Sequence, residues 1–411
     1  MSASQKAPSS MTASSHARPS LADFVPVHGR PNPVDAFFHA ADHLRIGAIV
    51  HLAGKAPDLA SLRSHIADHL DRLPVLRCVF AQDGWREQQP DLTHHVRETV
   101  TTCLNAAVGE LTATPFDPGR SEWDLTLIHG YADDAYVLFY RVHHGVHDWA
   151  GIAHTLETLF GPVPRSSATI APGGRRPTPR HYAVAARLLA STASRSTIWP
   201  LPPFTGSGQR VFHWENLPLN WLDHPDASRA DVYAWGIARS VADWAAEHRL
   251  DFPRDAVEIT IAANLRHPHE AAAVGSRMVP VRFRLPADDL RACAQQLLQV
   301  KHAGTKSALR NLNNAVPSLL GRRLTRQAAR PAWGNLAVSS LYLRNPLAFT
   351  SHPVTRIEPL MVRADSYPLV TLAVTYQNQL SVCFVSDPAL PGMDTLHQRW
   401  RNQITHLHHA H

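Results

Sequence analysis

Apolar positions recur along this chain with two periods. Leu59, Leu62, Ile66, Leu70 and Leu73 lie three and four residues apart, one stripe of a helix that Pro74 ends. Tyr136 to Tyr140 is instead a nearly continuous apolar run, too short for a helix and suited to a strand covered on both faces. With Trp123 to His129 it reads as an antiparallel hairpin joined at the Asp133-Asp134 turn. The run stops at a polar knot of His143, His144, His147 and Asp148, after which Ile152, Leu156, Leu159 and Phe160 resume at helical spacing. A short helix and a strand are expected from Asp35 to Leu52, and a strand from Leu76 to Phe80 followed by a turn at Gly84-Trp85. Later strands are expected at Val211 to Trp214, Val257 to Ile261, Met278 to Leu285, Leu336 to Leu341, Leu369 to Tyr376 and Leu380 to Ser386. Helices are expected over Tyr182 to Ala193, Asp231 to Glu247, Leu290 to Lys301 and Met393 to His408.

Where these periods fail, the chain divides. Residues 1–22 are rich in Ser, Ala and Pro with few large apolar side chains, and read as a disordered tail. Gly161 to Arg180 is dense in Pro, Gly and Arg with almost no core formers. Residues 161–209 therefore read as a crossover between two halves, 23–160 and 210–411. With 411 residues, each half can bury a core of its own.

The polar knot is the best candidate for chemistry. A buried strand that delivers adjacent histidines to a loop before a helix holds an imidazole rigidly beside a cleft. A near-neutral imidazole takes a proton from an attacking hydroxyl or amine and returns it to a leaving group. His144 is the expected general base. The Asp148 carboxylate either faces that base or turns away to brace the loop through an arginine; bracing is favoured, because a buried Asp–Arg pair fixes geometry without moving protons. The other pair, His94-His95, has no nearby acid and is expected on the surface.

The order HHGVHD resembles the HHxxxDG signature of the condensation and acyltransferase superfamily, and within it the bacterial wax ester synthase/diacylglycerol acyltransferase-like proteins. Pro31 to Leu52, PNPVDAFFHAADHLRIGAIVHL, is similar to that family's opening. Pro57 to Phe80 is similar to its first helix and "P-x-L-R" strand, Ile259 to Arg266 to its "PVNLR" strand, and Gly334 to Pro346 to the strand ending in "SNVPGP". The resemblance implies an α/β (α+β) fold of two chloramphenicol acetyltransferase-like subdomains, a pseudo-dimer with a tunnel between them. It implies acyl transfer from a thioester, on coenzyme A or on the phosphopantetheine arm of an acyl or peptidyl carrier protein, to a hydroxyl or amine of a small-molecule acceptor. The thioester is a co-substrate, and no permanently bound cofactor is expected. It further implies catalytic roles for His143 and His144, and that Arg266 braces Asp148. Asn335, Ser339 and Ser340 become candidates for stabilising the oxyanion.

The chain departs from the family where Trp149 stands in place of the motif glycine, the nearest glycine being Gly151. A tryptophan there could narrow the channel, re-aim His144 or cap a substrate. Two further readings follow: a condensation-type enzyme forming a carrier-bound amide or ester, or a cyclised product, in the same tunnel; and a binding protein without turnover.

Composition narrows the field. No apolar run approaches the roughly 20 residues that span a bilayer. The net charge of +6 suits an anionic co-substrate or carrier, yet Lys and Arg are scattered with no aromatic-basic stripe, which argues against nucleic acid. Lys306, Arg310, Arg322, Arg323 and Arg326 form either a solvated face or a phosphate-facing tunnel mouth. Cys78, Cys103, Cys293 and Cys383 contain no CxxC pair and read as reduced thiols of a cytoplasmic protein. His143, His147 and Asp148 lack a fourth metal ligand nearby, so no metal is expected.

Overall fold

The computed structural model describes residues 35, 38, 39, 44–81, 84–162, 176–192, 209–248, 257–267, 270–316, 323, 336–362 and 367–410. The tail expected at 1–22 and the candidate Asn335 lie outside them.

The first half supplies strands β1 (Arg45–Ala53), β2 (Cys78–Ala81), β3 (Gly84–Glu87), β4 (Val96–Val100), β5 (Trp123–His129) and β6 (Ala135–His143). The second supplies β7 (Val211–Pro218), β8 (Val257–Asn264), β9 (Met278–Leu285), β10 (Leu336–Leu343), β11 (Ala348–Phe349), β12 (His352–Met361), β13 (Leu369–Tyr376) and β14 (Gln379–Ser386). One mixed sheet has the order β11-β12-β1-β6-β5-β4 and the other β7-β14-β13-β10-β8-β9, while β2 and β3 form a separate hairpin. The principal helices are α1 (Leu59–His69), α2 (Leu104–Ala113), α3 (Trp149–Phe160), α4 (Pro179–Thr192), α5 (Arg229–Glu247), α6 (Leu290–Lys301), α7 (Ala303–Ala315) and α8 (Leu396–His409). Among the described residues no helix is long and apolar enough to cross a membrane.

The two periods of the sequence become two modes of burial. Leu62, Ile66, Leu70 and Leu73 pack beneath the first sheet with Ile152, Leu156 and Leu159 of α3. Each fully buried side chain of this kind stabilises the fold by about 1.5–3 kcal/mol. Every residue of β6 except Ala135 is buried, as a strand covered on both faces requires. β13 is buried throughout and serves two cores: Leu372, Val374 and Tyr376 meet the first, while Leu369 and Ala373 meet the second.

Some details differ from the sequence expectation. Pro74 to Arg77 form a 3-10 turn, so the strand starts at Cys78, and Gly84-Trp85 open a paired strand in which Trp85 faces Phe80. His95 is buried, stacked on Trp123 at 4.6 Å, with Nδ1 2.8 Å from the Trp123 carbonyl oxygen. Within the segment read as a crossover, α4 places Ala185 and Leu188 in the second core. The first sheet also takes strands from later in the chain: β12 pairs antiparallel with β1 along Ile46–Leu52, so a segment from the second half completes the first sheet.

Candidate active site

β6 ends at His143, and the chain turns at once. The His144 N–H donates to the Leu44 carbonyl at 2.8 Å, and the Val146 N–H closes the turn on the His143 carbonyl at 2.9 Å. Asp148, with an extended backbone, caps α3, its Oδ1 accepting from the Gly151 N–H at 2.9 Å. Arg266, just beyond β8, donates through Nε to Asp148 Oδ1 and Oδ2 at 3.0 and 3.2 Å, and the Arg277 N–H reaches Oδ2 at 2.8 Å. The remaining guanidinium nitrogens of Arg266 donate to the carbonyls of Glu270, Ala273 and Gly275, each at 2.8 Å. Burial alone would push the Asp148 carboxyl up, but the Arg266 charge and the Arg277 N–H outweigh it and hold it at about 2. Asp148 is thus an ionised carboxylate bound to the second half.

The same segment of the second half grips the histidine turn from behind. The Gly275 N–H donates to the Val146 carbonyl at 2.7 Å, Ser276 Oγ donates to the His144 carbonyl at 3.1 Å, and the Ser276 N–H reaches Asp35 Oδ1 at 2.7 Å. Gly275 has φ +84°, and a Cβ there would lie 2.8 Å from Asp35 Oδ2, so the close approach needs glycine. Asp35 lies in the PNPVDAFF opening, yet nothing local in the sequence marks Gly275, Ser276 or Arg277 as partners of a turn so far away in the chain.

His144 stacks on Phe38 with ring centroids 3.9 Å apart and lines a cavity of about 810 Å³. Burial lowers its pKa below the usual imidazole value, against the raising pull of its own carbonyl and of Asp148, so the ring is neutral at neutral pH. The first half contributes Phe38, Leu44, His144, Asp148, Trp149 and Ala150 to this cavity and α4 contributes Leu189; the rest of its described wall comes from the second half and is largely apolar. Ser339 and Ser340 of β10 lie on that wall. Trp149 opens α3 beside Asp148 and faces the cavity, and its indole Nε1 is buried without a hydrogen-bond partner among the described residues.

His143 and His147 are not cavity residues. His143 stacks on His39 at 5.0 Å, its Nδ1 accepts from the Gly145 N–H at 3.1 Å, and Glu122 Oε2 lies 3.8 Å from that nitrogen. Donor atoms of His39, Glu122 and His143 all lie within 4.8 Å of one another, close enough to suit a metal ion. The Gly145 N–H, however, occupies the His143 lone pair such an ion would need at Nδ1. Burial and the neighbouring His143 push the His39 pKa to about 3. The His147 ring lies against Gly151, where a Cβ would come within 1.9 Å of Cδ2. Any side chain at position 151 would therefore meet that ring.

The fold is an α/β, chloramphenicol acetyltransferase-like architecture. Residues 32–197 match the wax ester synthase/diacylglycerol acyltransferase catalytic domain. A protein of Mycobacterium tuberculosis, provisionally named a diacylglycerol O-acyltransferase, is 29% identical over 120 residues, spanning 27% of this chain and only 26% of that relative. Among solved structures, the wax ester synthase/diacylglycerol acyltransferase of Marinobacter aquaeolei VT8 aligns with a TM-score of 0.56 at 16% identity, covering 92% of this chain and 98% of its own. The starter condensation domain of rhizomide synthetase in complex with C8-CoA and Leu-SNAC aligns with a TM-score of 0.64 at 15% identity, covering 92% and 93%. The first condensation domain of the calcium-dependent antibiotic synthetase, in complex with a substrate analogue, gives 0.65 at 16% identity, covering 93% and 95%.

Proposed function

We propose that this chain is an acyltransferase that moves an acyl group from a thioester, on coenzyme A or a carrier-bound phosphopantetheine, to a hydroxyl or amine of a small-molecule acceptor, with His144 as general base. The observation that carries this reading is a neutral imidazole held rigidly on the wall of an apolar cavity between two halves. The ring takes the acceptor's proton as its oxygen or nitrogen attacks the thioester carbonyl, forming a tetrahedral oxyanion. Collapse of that intermediate breaks the C–S bond, and the imidazolium returns the proton to the departing thiolate. The products are an ester or amide and a free thiol, with no covalent enzyme intermediate. Holding both reactants in one cavity supplies much of the rate through orientation.

The other residues have graded roles in this scheme. Asp148 and Arg266 brace the loop, and His143 fixes its base by packing against His39. Ser339, Ser340 and Asn335 are the candidates for the oxyanion, and Trp149 shapes the space beside the base. The matched catalytic-domain pattern supports acyl transfer as the activity class. The C8-CoA and Leu-SNAC bound by the rhizomide synthetase domain support a thioester donor and a small acceptor for the same architecture. We place the reaction in the cytoplasm and in the tailoring of a specialised metabolite, with a carrier protein as one source of donor.

An intact-mass assay of a thioester panel against candidate alcohols and amines tests this. His144→Ala is expected to lower product formation about 10²- to 10⁴-fold while leaving thioester binding in place. Equal product from parent and variant would remove the general base. Thioester binding with no turnover, unaffected by His144→Ala, would favour a binding protein.

A further inference from the structure

Charged side chains are few among the described residues of the cavity wall, and all but one of the aspartate, arginine and lysine side chains there are ion-paired. Asp148 is held by Arg266. Arg229 donates to Asp223 at 2.6 Å, and Lys301 binds Asp231 at 2.5 Å and Ser228 Oγ at 2.8 Å. Lys306 also lines the cavity, and among the described residues it is the lining cation whose side chain makes no ion pair or hydrogen bond. It stands on α7, where Ala308 and Leu309 pack into the second core, and is itself half-buried. Asn313, two turns further along, lines the same cavity. Burial, with the Lys301 charge beside it, pushes the Lys306 ammonium down. An ammonium in a largely apolar cavity is costly unless a counter-charge meets it. With the other charged lining side chains already paired, the counter-charge this cavity can still receive is one carried by a ligand.

We propose that Lys306 is the anion-recognition residue of the cavity and takes a carboxylate carried by the acyl chain or by the acceptor. The position inside an apolar space, with Lys301 already neutralised by Asp231, suits one singly charged group better than a pyrophosphate. The substrate so defined has an apolar body that fills the cavity and one carboxylate set apart from the reacting carbonyl. The identity of that substrate rests on the acyl-transfer reading, whereas carboxylate binding does not.

Binding is tested first, by titration calorimetry at pH 7 with octanoate, 1-octanol and coenzyme A as probes. Lys306→Met is expected to weaken octanoate binding about tenfold, as loss of a charge-assisted hydrogen bond does, with 1-octanol unchanged. Lys306→Arg should restore most of the octanoate affinity, and Lys306→Gln serves as a second neutral variant should the methionine protein fold poorly. Equal octanoate affinity in parent and neutral variants, including no binding by either, would overturn the assignment. So would parallel losses for octanoate and 1-octanol, or loss of coenzyme A binding alone. Turnover then locates the carboxylate. Octanoyl-CoA is compared with the mono-thioester of octanedioic acid, and phenylalaninol with phenylalanine as acceptor. A change of preference on Lys306→Met within the first pair puts the carboxylate on the acyl chain, and within the second on the acceptor. Turnover with neither pair responding would overturn the substrate role. Absence of all turnover counts against acyl transfer and leaves the calorimetry to decide on Lys306.

Discussion

Asp148 accepts from the Gly151 N–H, the Arg277 N–H and, at both oxygens, Arg266 Nε, which together use about the four acceptor sites a carboxylate offers. It is therefore better equipped to hold α3 against the second half than to tune the ring of His144. Asp148→Asn leaves a buried guanidinium without its counter-charge and turns an amide N–H₂ toward other donors. It is expected to destabilise the fold by about 3–5 kcal/mol in urea denaturation, the cost typical of breaking one side of a buried pair. Activity lost at unchanged stability would instead make the carboxylate a partner in proton transfer. The Asp148–Arg266 contact was legible in the sequence through motif resemblance, and so was His144 as a cavity residue. Phe38 against His144, and the grip of Gly275 and Ser276 on its loop, were not legible, because backbone carbonyls and a glycine at positive φ leave no pattern that links residues this far apart.

At the scale of elements, α3 shows packing overriding intrinsic preference. Replacing a helical glycine by alanine ordinarily stabilises a helix by up to about 1 kcal/mol. At Gly151 the added carbon meets the His147 ring at 1.9 Å, and that ring is buried beside Gly151. Gly151→Ala is expected to cost about 1–3 kcal/mol, as overpacking does, and to lower turnover by displacing the His144 turn. A raised melting temperature with full activity would show that the ring moves aside freely. Strands of period two and the leucine stripe of α1 were readable from the sequence alone. β12 was not, since HPVTRIEPLM carries Pro353 and Pro359, whose missing N–H groups argue against an interior strand, yet it lies between β11 and β1. His95 was misjudged for a related reason: a histidine reads as polar, but its ring packs flat on Trp123.

For the whole molecule, buried neutral histidines set the response to acid. Burial holds His39 at about 3 and His154 at about 4, and it lowers His144 and His147 as well. Their folded pKa values lie below the unfolded value of 6.5, so these groups are neutral in both states above that pH and contribute no slope. Below it the unfolded chain takes up protons that the folded chain refuses, and stability falls as pH drops from about 6.5 toward 3. Glu157 acts the other way, because burial raises it to about 7 and its penalty is relieved on acidification, but it is one group against these four histidines and others lowered with them, such as His95. The urea midpoint is expected to rise slightly from pH 8 to 7 as Glu157 takes up its proton in the folded state, and to decline below 6.5 as the histidines dominate. A midpoint that keeps rising on acidification below pH 6.5 would contradict this. That β12 completes the first sheet was not visible in composition, and that strand governs how the protein can be made. The long edge of β1 opposite β6 waits for residues 352–361. During synthesis the first sheet therefore emerges from the ribosome with an open, sticky border, and it cannot close until residues 352–361 have been translated as well.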